Sequence, residues 1–383
     1  MLDWWRRLRA PRVERKLLAW HALGRPAWSA RDPSVFAREG YARNAIAYRC
    51  VRMIAEAAAS APLKVGPADH PLARLLARPN PEQTGIELLE AFYGHLQVSG
   101  NAYLEAASIE SDAPSELYVL RPDRMSVVPG ADGWPVGWEH RVGSSVRKFE
   151  RDPVTSDAPI LHLKLFHPAD DWYGLSPMEA AAFSIDIHNA GGAWNKALID
   201  NAARPSGALV FTGAGGADRL SEEQFRRLKQ ELEDMHVGAA NAGRPMLLEG
   251  GLEWRPMSLS PSEMDFSEAR HSAARDIALA FGVPPMLLGI PGDNTYSNYR
   301  EANLAFWRQT ALPLAMKGAR GIEAWIGDRW PETGPAAVNV DVENVPALTI
   351  EREALWSRIG SANFLSEDEK RRMAGVETPE RAQ

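Results

Sequence analysis

The sequence has a single cysteine, Cys50, among 383 residues, so it can build neither an intrachain disulfide framework nor a cysteine-rich zinc site. It also lacks any apolar run near the ~20 residues that a membrane-crossing helix needs, because its longest apolar stretches are broken by Arg, Asp or Pro. G-x-x-x-x-G-K-[ST] is absent, which excludes ATP binding by a P-loop, and G-x-S-x-G and H-E-x-x-H are absent too. Excess positive charge is missing: 43 Lys+Arg stand against 50 Asp+Glu, a formal charge of −7, which excludes a free-standing basic nucleic-acid-binding domain. The N-terminal stretch has no continuous apolar segment and does not read as a secretory signal. Residues 1–31 instead hold eight Lys/Arg with Trp4, Trp5 and Trp20. Such a basic arm orders on a neighbouring subunit, lies on a membrane surface or contacts phosphates.

What is present is an ordinary globular composition, 45% hydrophobic and 24% charged, long enough for two or three domains. Ala45, Ile46, Val51, Ile54 and Ala58 recur at helical spacing, and Pro62 follows the last turn. Thr84-Gly-Ile-Glu87 has capping-box spacing and predicts a helix that stops at Ser99-Gly100. Between 101 and 165 the pattern changes to short β-like runs: Tyr103–Ala106, Leu117–Leu120, Ser126–Val128, Trp138–Val142 and Ile160–Leu165. Ser176-Pro-Met-Glu179 opens a helix to about Ala203, and Ser260-Pro-Ser-Glu263 opens another to about Phe281. These two bracket a small α/β excursion, with strands at Ala208–Phe211, Met246–Glu249 and Leu252–Met257 and a helix capped by Ser221. Residues 289–300 read as a long polar loop. A helix from about Glu301 to Trp325 contains Pro313 and is expected to kink there. Val338–Val342 reads as a strand, and Glu351–Gly360 and Ser366–Ala374 as closing helices. The fold class is therefore α+β.

Chemical signatures are weak. Gly213-Ala-Gly215-Gly216 follows a strand and precedes a helix, but the third glycine of a dinucleotide fingerprint would fall on Asp218, an anion where the pyrophosphate should lie. His162, His167, Asp170 and Asp171 fall within ten residues and are the one candidate ligand set for a metal-dependent hydrolase. Strand alternation does not require them to converge. A peripheral membrane scaffold built on the Trp/Arg arm is a further alternative. Two long helices with a module at their far end need partners for their second faces, which points to an interaction or structural role rather than an enzyme.

Seven short motifs then stand in a recognisable order. They are Tyr41–Ala61 with Pro62-Leu-Lys-Val65, Arg78-Pro-Asn-Pro81, Ser99-Gly-Asn-Ala-Tyr103, Gly174-Leu-Ser-Pro177, Arg204-Pro-Ser-Gly207, Phe281-Gly-Val-Pro-Pro285 and Thr295-Tyr-Ser-Asn298. In this order the chain resembles the portal proteins of tailed bacteriophages, in the HK97-like branch. Gene transfer agents, the phage-like particles of some bacteria, carry portals of the same type. The resemblance implies a portal-protein fold: a basic arm at 1–39, a β-rich wing at 40–172 with a return strand at 338–342, and antiparallel stem helices at 173–207 and 258–285. It further implies a small α/β clip at 208–257, a tunnel loop at 286–300, a long kinked helix at 301–330 and a C-terminal helical crown at 345–383.

The function implied is a dodecameric ring at one capsid vertex, through which double-stranded DNA is packaged and ejected without sequence specificity. The implied partners are further copies of the chain, the major capsid protein, the large terminase and the head–tail adaptor. The particle is a virion or phage-like particle assembled in the bacterial cytoplasm, and no cofactor, metal or catalysis is implied. Asn294, Thr295, Tyr296, Ser297, Asn298 and Arg300 would line the channel. Gly213, Gly215, Arg226, Arg227 and Lys229 would meet the adaptor or terminase. Twelve chains at −7 each repel DNA as a whole, which suits a conduit in which the duplex must slide. The sequence departs from the family at one point: Arg300 stands where a Glu usually follows Tyr-Ser-Asn-x, and Glu301 comes one residue later.

Overall fold

The computed structural model describes residues 33–108, 113–200, 207–211, 222–223, 226–227, 230, 252–256, 266–291 and 296–374. Helix α1 (Ala45–Ser60) begins where the Asn44 side chain accepts from the Ile46 and Ala47 N–H groups, and it buries Ala47, Cys50, Val51, Ile54, Ala55 and Ala58 along one face. Strand β1 (Leu63–Gly66) follows it. Next comes α2 (Pro71–Ala77), for which the sequence analysis gives no element. Its cap is the His70 imidazole accepting from Leu72 N–H, an atypical cap residue, and the helix is short; Leu72, Leu75 and Leu76 are what hold it down. Helix α3 (Gly85–Ser99) has the expected capping box between Thr84 and Glu87, and Gly100 closes it at φ 73°.

The β-rich region forms two three-stranded antiparallel sheets. In one, β2 (Asn101–Ala107) lies between β3 (Glu116–Leu120) and β7 (Ile160–Lys164). In the other, β5 (Pro135–Val142) lies between β4 (Met125–Pro129) and β6 (Ser145–Glu150). Strand β6 escapes sequence reading because Phe149 is its only buried residue, so no alternation marks it. Tyr103, Leu120, Met125, Val127, Trp138, Phe149 and Ile160 form the apolar cluster between the two sheets.

The one-turn helix Pro177–Ala180, capped by Ser176, leads into α4 (Ala182–Asp200). The helix expected to run unbroken from Ser176 is therefore interrupted at Ala181. Helix α5 (Phe266–Ala280) packs against α4. Ser184 faces Asp276 and His188 faces Arg270, so the two run antiparallel. Strands β8 (Gly207–Phe211) and β9 (Leu252–Pro256) pair antiparallel; the expected strand Met246–Glu249 and the Ser221 and Ser260 caps lie outside the described residues.

Helix α6 (Tyr296–Phe306) passes through a π-helical turn at Trp307–Ala311 into α7 (Leu312–Ile326). The sequence predicts a kink at Pro313, and a π-helical turn lies just ahead of that proline. Pro313 brings no N–H, and its ring would strike the Gln309 carbonyl in a regular helix, so widening the preceding turn relieves the clash. Strand β10 (Ala337–Val340) returns to pair with β1, Leu63 opposite Val340. Helices α8 (Thr349–Ser361) and α9 (Glu367–Met373) end the described chain, α9 with a Ser366–Glu369 capping box.

One core unites these elements. Ile54, Leu88, Phe92, Leu96, Leu104, Leu117, Ile277, Ala315, Ile322 and Val338 belong to a single buried cluster. Helix α7 approaches α3 so closely that a Cβ at Gly318 would stand 2.3 Å from the Tyr93 hydroxyl. That fully buried hydroxyl donates to the Ala315 carbonyl at 3.4 Å. Phe36, 6% exposed, belongs to the same core through the π-helical turn Phe36–Tyr41. Residues 36–39 of the stretch expected as a basic arm therefore lie in a helical turn whose Phe36 is packed in the core.

Candidate channel and docking sites

The candidate channel segment leaves α5 through Gly282, at φ 66°, and the short 3-10 turn Pro285–Leu288. The Gly282 carbonyl accepts from Thr310 Oγ at 2.6 Å, which fastens the end of α5 to the π-helical turn. Gly289, at φ 70°, reverses the chain, Ile290 is buried, and Arg275 donates to the Pro291 carbonyl at 2.7 Å. Asn294 and Thr295, two of the residues expected to line the channel, lie outside the described residues.

The chain resumes as helix at Tyr296, so Tyr296, Ser297, Asn298 and Arg300 stand in the first turns of α6 and not in a loop. Ser and Asn are common in loops, which is why this run reads as one, yet a helix's first turn tolerates them. Asn298, Tyr299 and Arg300 are exposed. With the helix starting at Tyr296, Arg300 and Glu301 are consecutive helical residues about 100° apart around the axis.

At the candidate docking module, Arg226 and Arg227 are helical and exposed. Arg227 stands 3.9 Å from Glu223 with both side chains 85% exposed, an ion pair too solvated to hold either charge in place. Gly213, Gly215 and Lys229 lie outside the described residues.

The candidate metal ligands do not assemble. His162 is used on both nitrogens: Nε2 meets Asn101 Oδ1 at 3.0 Å and Nδ1 accepts from Trp138 Nε1 at 3.4 Å. Its ring stacks on Tyr103 at 4.3 Å. His167 Nδ1 accepts from Ala169 N–H, and one Asp170 oxygen accepts from Trp172 and Tyr173 N–H. Among the described residues no group of three or more His, Cys, Asp or Glu is placed to hold a metal ion. His162, His167 and Asp170 thus spend these atoms on hydrogen bonds within the chain. Cys50 is packed in the core with its thiol pushed up to about 12 by burial, the opposite of a reactive thiolate.

Burial pushes the His162 imidazole down to about 3, with Lys164 adding to the effect. Burial likewise holds His95 near 4. An unfolded histidine takes up its proton near 6.5, so between that pH and the folded value the unfolded state binds the extra proton. Stability is therefore full above about pH 6.5 and falls as the pH drops toward 4, by up to about 1.4 kcal/mol per pH unit for each histidine. Urea titrations between pH 7.5 and 4.5 should show this slope, and His162→Gln should flatten it. An unchanged slope would mean that His162 is solvated.

The sequence motifs instead mark the places where separate elements are pinned. Asn80, in Arg78-Pro-Asn-Pro81, donates to the Leu117 carbonyl of β3 at 2.9 Å and accepts from Glu82 and Gln83 N–H. Asn101 accepts from Gly174 N–H at 2.8 Å and donates to the Ser99 carbonyl at 2.8 Å. Gly100 and Gly174 cross so closely that a Cβ on either would lie 2.2–2.3 Å from the carbonyl oxygen of the other. Sequence reading treated these as signatures only; their burial and mutual contact come from the fold.

The chain matches the family described as phage portal protein over residues 45–375. A chain in the solved virion of a native gene transfer agent particle is 52% identical, with a TM-score of 0.73, over 95% of this chain and 98% of that one. A chain in the neck of the native gene transfer agent particle, computed with C12 symmetry, is 51% identical with the same TM-score, again over 95% and 98%. The portal protein of Enterobacteria phage HK97 is 27% identical over 73% of this chain and 66% of its own length. The α+β fold with its helical pair, β-rich region and interrupted long helix is that of a viral or phage-like particle component. The chain belongs to the phage portal protein family.

Proposed function

We propose that this chain is the portal subunit of a gene transfer agent-type particle, twelve copies closing into a ring at the neck that admits and releases double-stranded DNA. The observation that carries this is the 51% identity, over nearly the whole chain, to a protein seated in a particle neck of C12 symmetry. In this reading residues 40–172 with β10 make the wing and α4 with α5 the stem. The β8–β9 module is the clip that receives the terminase during packaging and the head–tail adaptor afterwards. The narrowest part of the channel is formed by residues 289–295 and the first turn of α6. Neutral side chains there, Asn294, Thr295, Ser297 and Asn298, offer hydrogen bonds to phosphates without the counterion release that would trap the duplex, and Arg300 adds one local positive charge. The family is structural, and the chain supplies no step of chemistry: the energy for packaging comes from the terminase.

Negative-stain microscopy and native mass spectrometry of the purified protein should give closed rings of about twelve subunits with a central channel. Deleting 292–295 should leave particles with a portal ring and cut their packaged DNA at least tenfold, measured as nuclease-protected DNA per particle. Normal packaging by that deletion would remove the segment from the channel.

A further inference from the structure

Between α4, α5 and the turn after Gly289 lies a cavity of about 300 Å³ whose lining includes His188, Asn195, Arg270, His271 and Pro291. A chain of hydrogen bonds fixes the state of His188, which is 8% exposed. Asn44 Oδ1 is committed as the cap of α1, accepting from Ile46 and Ala47 N–H. Its amide nitrogen must therefore donate, and it reaches Asn189 Oδ1 at 2.9 Å and His188 Nδ1 at 3.1 Å. Asn189 in turn donates to the Glu39 carbonyl at 3.0 Å, so its oxygen cannot be exchanged for its nitrogen without losing both bonds. His188 Nδ1 is thus an acceptor, and the proton of the neutral ring sits on Nε2.

That proton meets another donor. Arg270 Nε stands 3.4 Å from His188 Nε2 with its own N–H directed at it. Two N–H groups facing each other satisfy neither, and an N–H on the buried His188 ring is costly to leave without an acceptor. Burial lowers the proton affinity of His188, with Arg270 contributing, which keeps the ring neutral. Among the described residues no carboxylate pairs with Arg270, and the cavity beside it has His271 on its wall.

We propose that this cavity is an oxyanion site that takes a phosphate group, held by His188 Nε2–H and the Arg270 guanidinium. An anionic oxygen beside the pair accepts from both, and the guanidinium can rotate its remaining N–H groups onto a second oxygen. Every group in the argument comes from one copy of the chain. The phosphate is either free phosphate or part of a DNA backbone.

Equilibrium dialysis of the full chain against inorganic phosphate, at constant ionic strength in chloride, tests this. One phosphate per chain is expected, with binding weakened at least tenfold by Arg270→Gln. The glutamine oxygen would satisfy His188 Nε2–H internally, so folding should survive. Arg141→Gln, which removes the same charge from the exposed end of β5, should leave binding unchanged. Displacement of the phosphate by a short DNA duplex would assign the site to the DNA backbone, and retention would assign it to free phosphate. No binding, or equal binding by Arg270→Gln and the wild type, overturns the proposal.

Discussion

Replacing Gly174 by alanine is expected to cost on the order of 3 kcal/mol of stability, and Gly100→Ala at least as much. A Cβ on Gly174 would lie 2.2 Å from the Gly100 oxygen and 2.6 Å from Leu165 N, and all of these contacts are backbone. No rotamer change can relieve them, so one strand or the turn before Ser176 has to move. The same crossing carries the Leu165 N–H to Gly100 carbonyl bond at 2.8 Å, which any shift would lengthen. Gly100 adds a second penalty because its φ of 73° is left-handed, worth roughly 1–2 kcal/mol for a residue with a Cβ. Two comparisons separate the effects. Gly143 has φ 59° and open space around it, so Gly143→Ala should cost only the conformational part. Gly94 is helical with nothing within 4 Å, and Gly94→Ala should stabilise by about 0.5–1 kcal/mol. Urea denaturation of the four variants reads the series. Equal losses at Gly174 and Gly143 would show that the crossing is loose.

Asn101→Ala should be nearly as damaging, by about 3 kcal/mol, for a different reason: it orphans polar groups instead of overfilling space. Asn101 is 6% exposed, and its oxygen serves Gly174 N–H and His162 Nε2–H while its amide nitrogen serves the Ser99 carbonyl. Removing the amide takes the Asn101 partner from two donors, Gly174 N–H and His162 Nε2–H, and from two acceptors, the Ser99 and Gly174 carbonyls. His162→Gln in the same background should be non-additive by about 1 kcal/mol, since the two side chains share a bond. Strict additivity in a double-mutant cycle would show that the contact contributes nothing.

Much of the fold was legible because its signals are local. Thr84 and Glu87, Ser176, Ser366 and Glu369 announce helix starts through side chains only a turn from the N–H groups they meet. Pro313 forecasts an irregular turn because its ring conflicts with its own chain. What failed was equally physical. Helix α2 is held by the burial of three leucines and capped by a histidine. Strand β6 shows the solvent nearly every side chain it has. At Tyr296–Arg300, loop-type residues lie within a helix start. The candidate site was less legible than the fold. His162, His167 and Asp170 are close in sequence, yet His162 bonds Asn101 and Trp138 while His167 and Asp170 accept from backbone N–H groups of their own turn, and sequence proximity carries no information about where their lone pairs point.

The sequence by itself determined the helix and strand pattern, the exclusion of a P-loop and of a disulfide framework, and, through seven ordered motifs, the portal family. These rest on covalent spacing and on capping within a turn. Only the tertiary structure decided that Gly100 and Gly174 touch, that Asn101 bridges three segments, and that His188 carries its proton on Nε2 against Arg270. Those are meetings of residues far apart in the chain. Their energies come from excluded space and from polar groups removed from water, which exist only once the core around Ile54, Phe92 and Ile322 has closed.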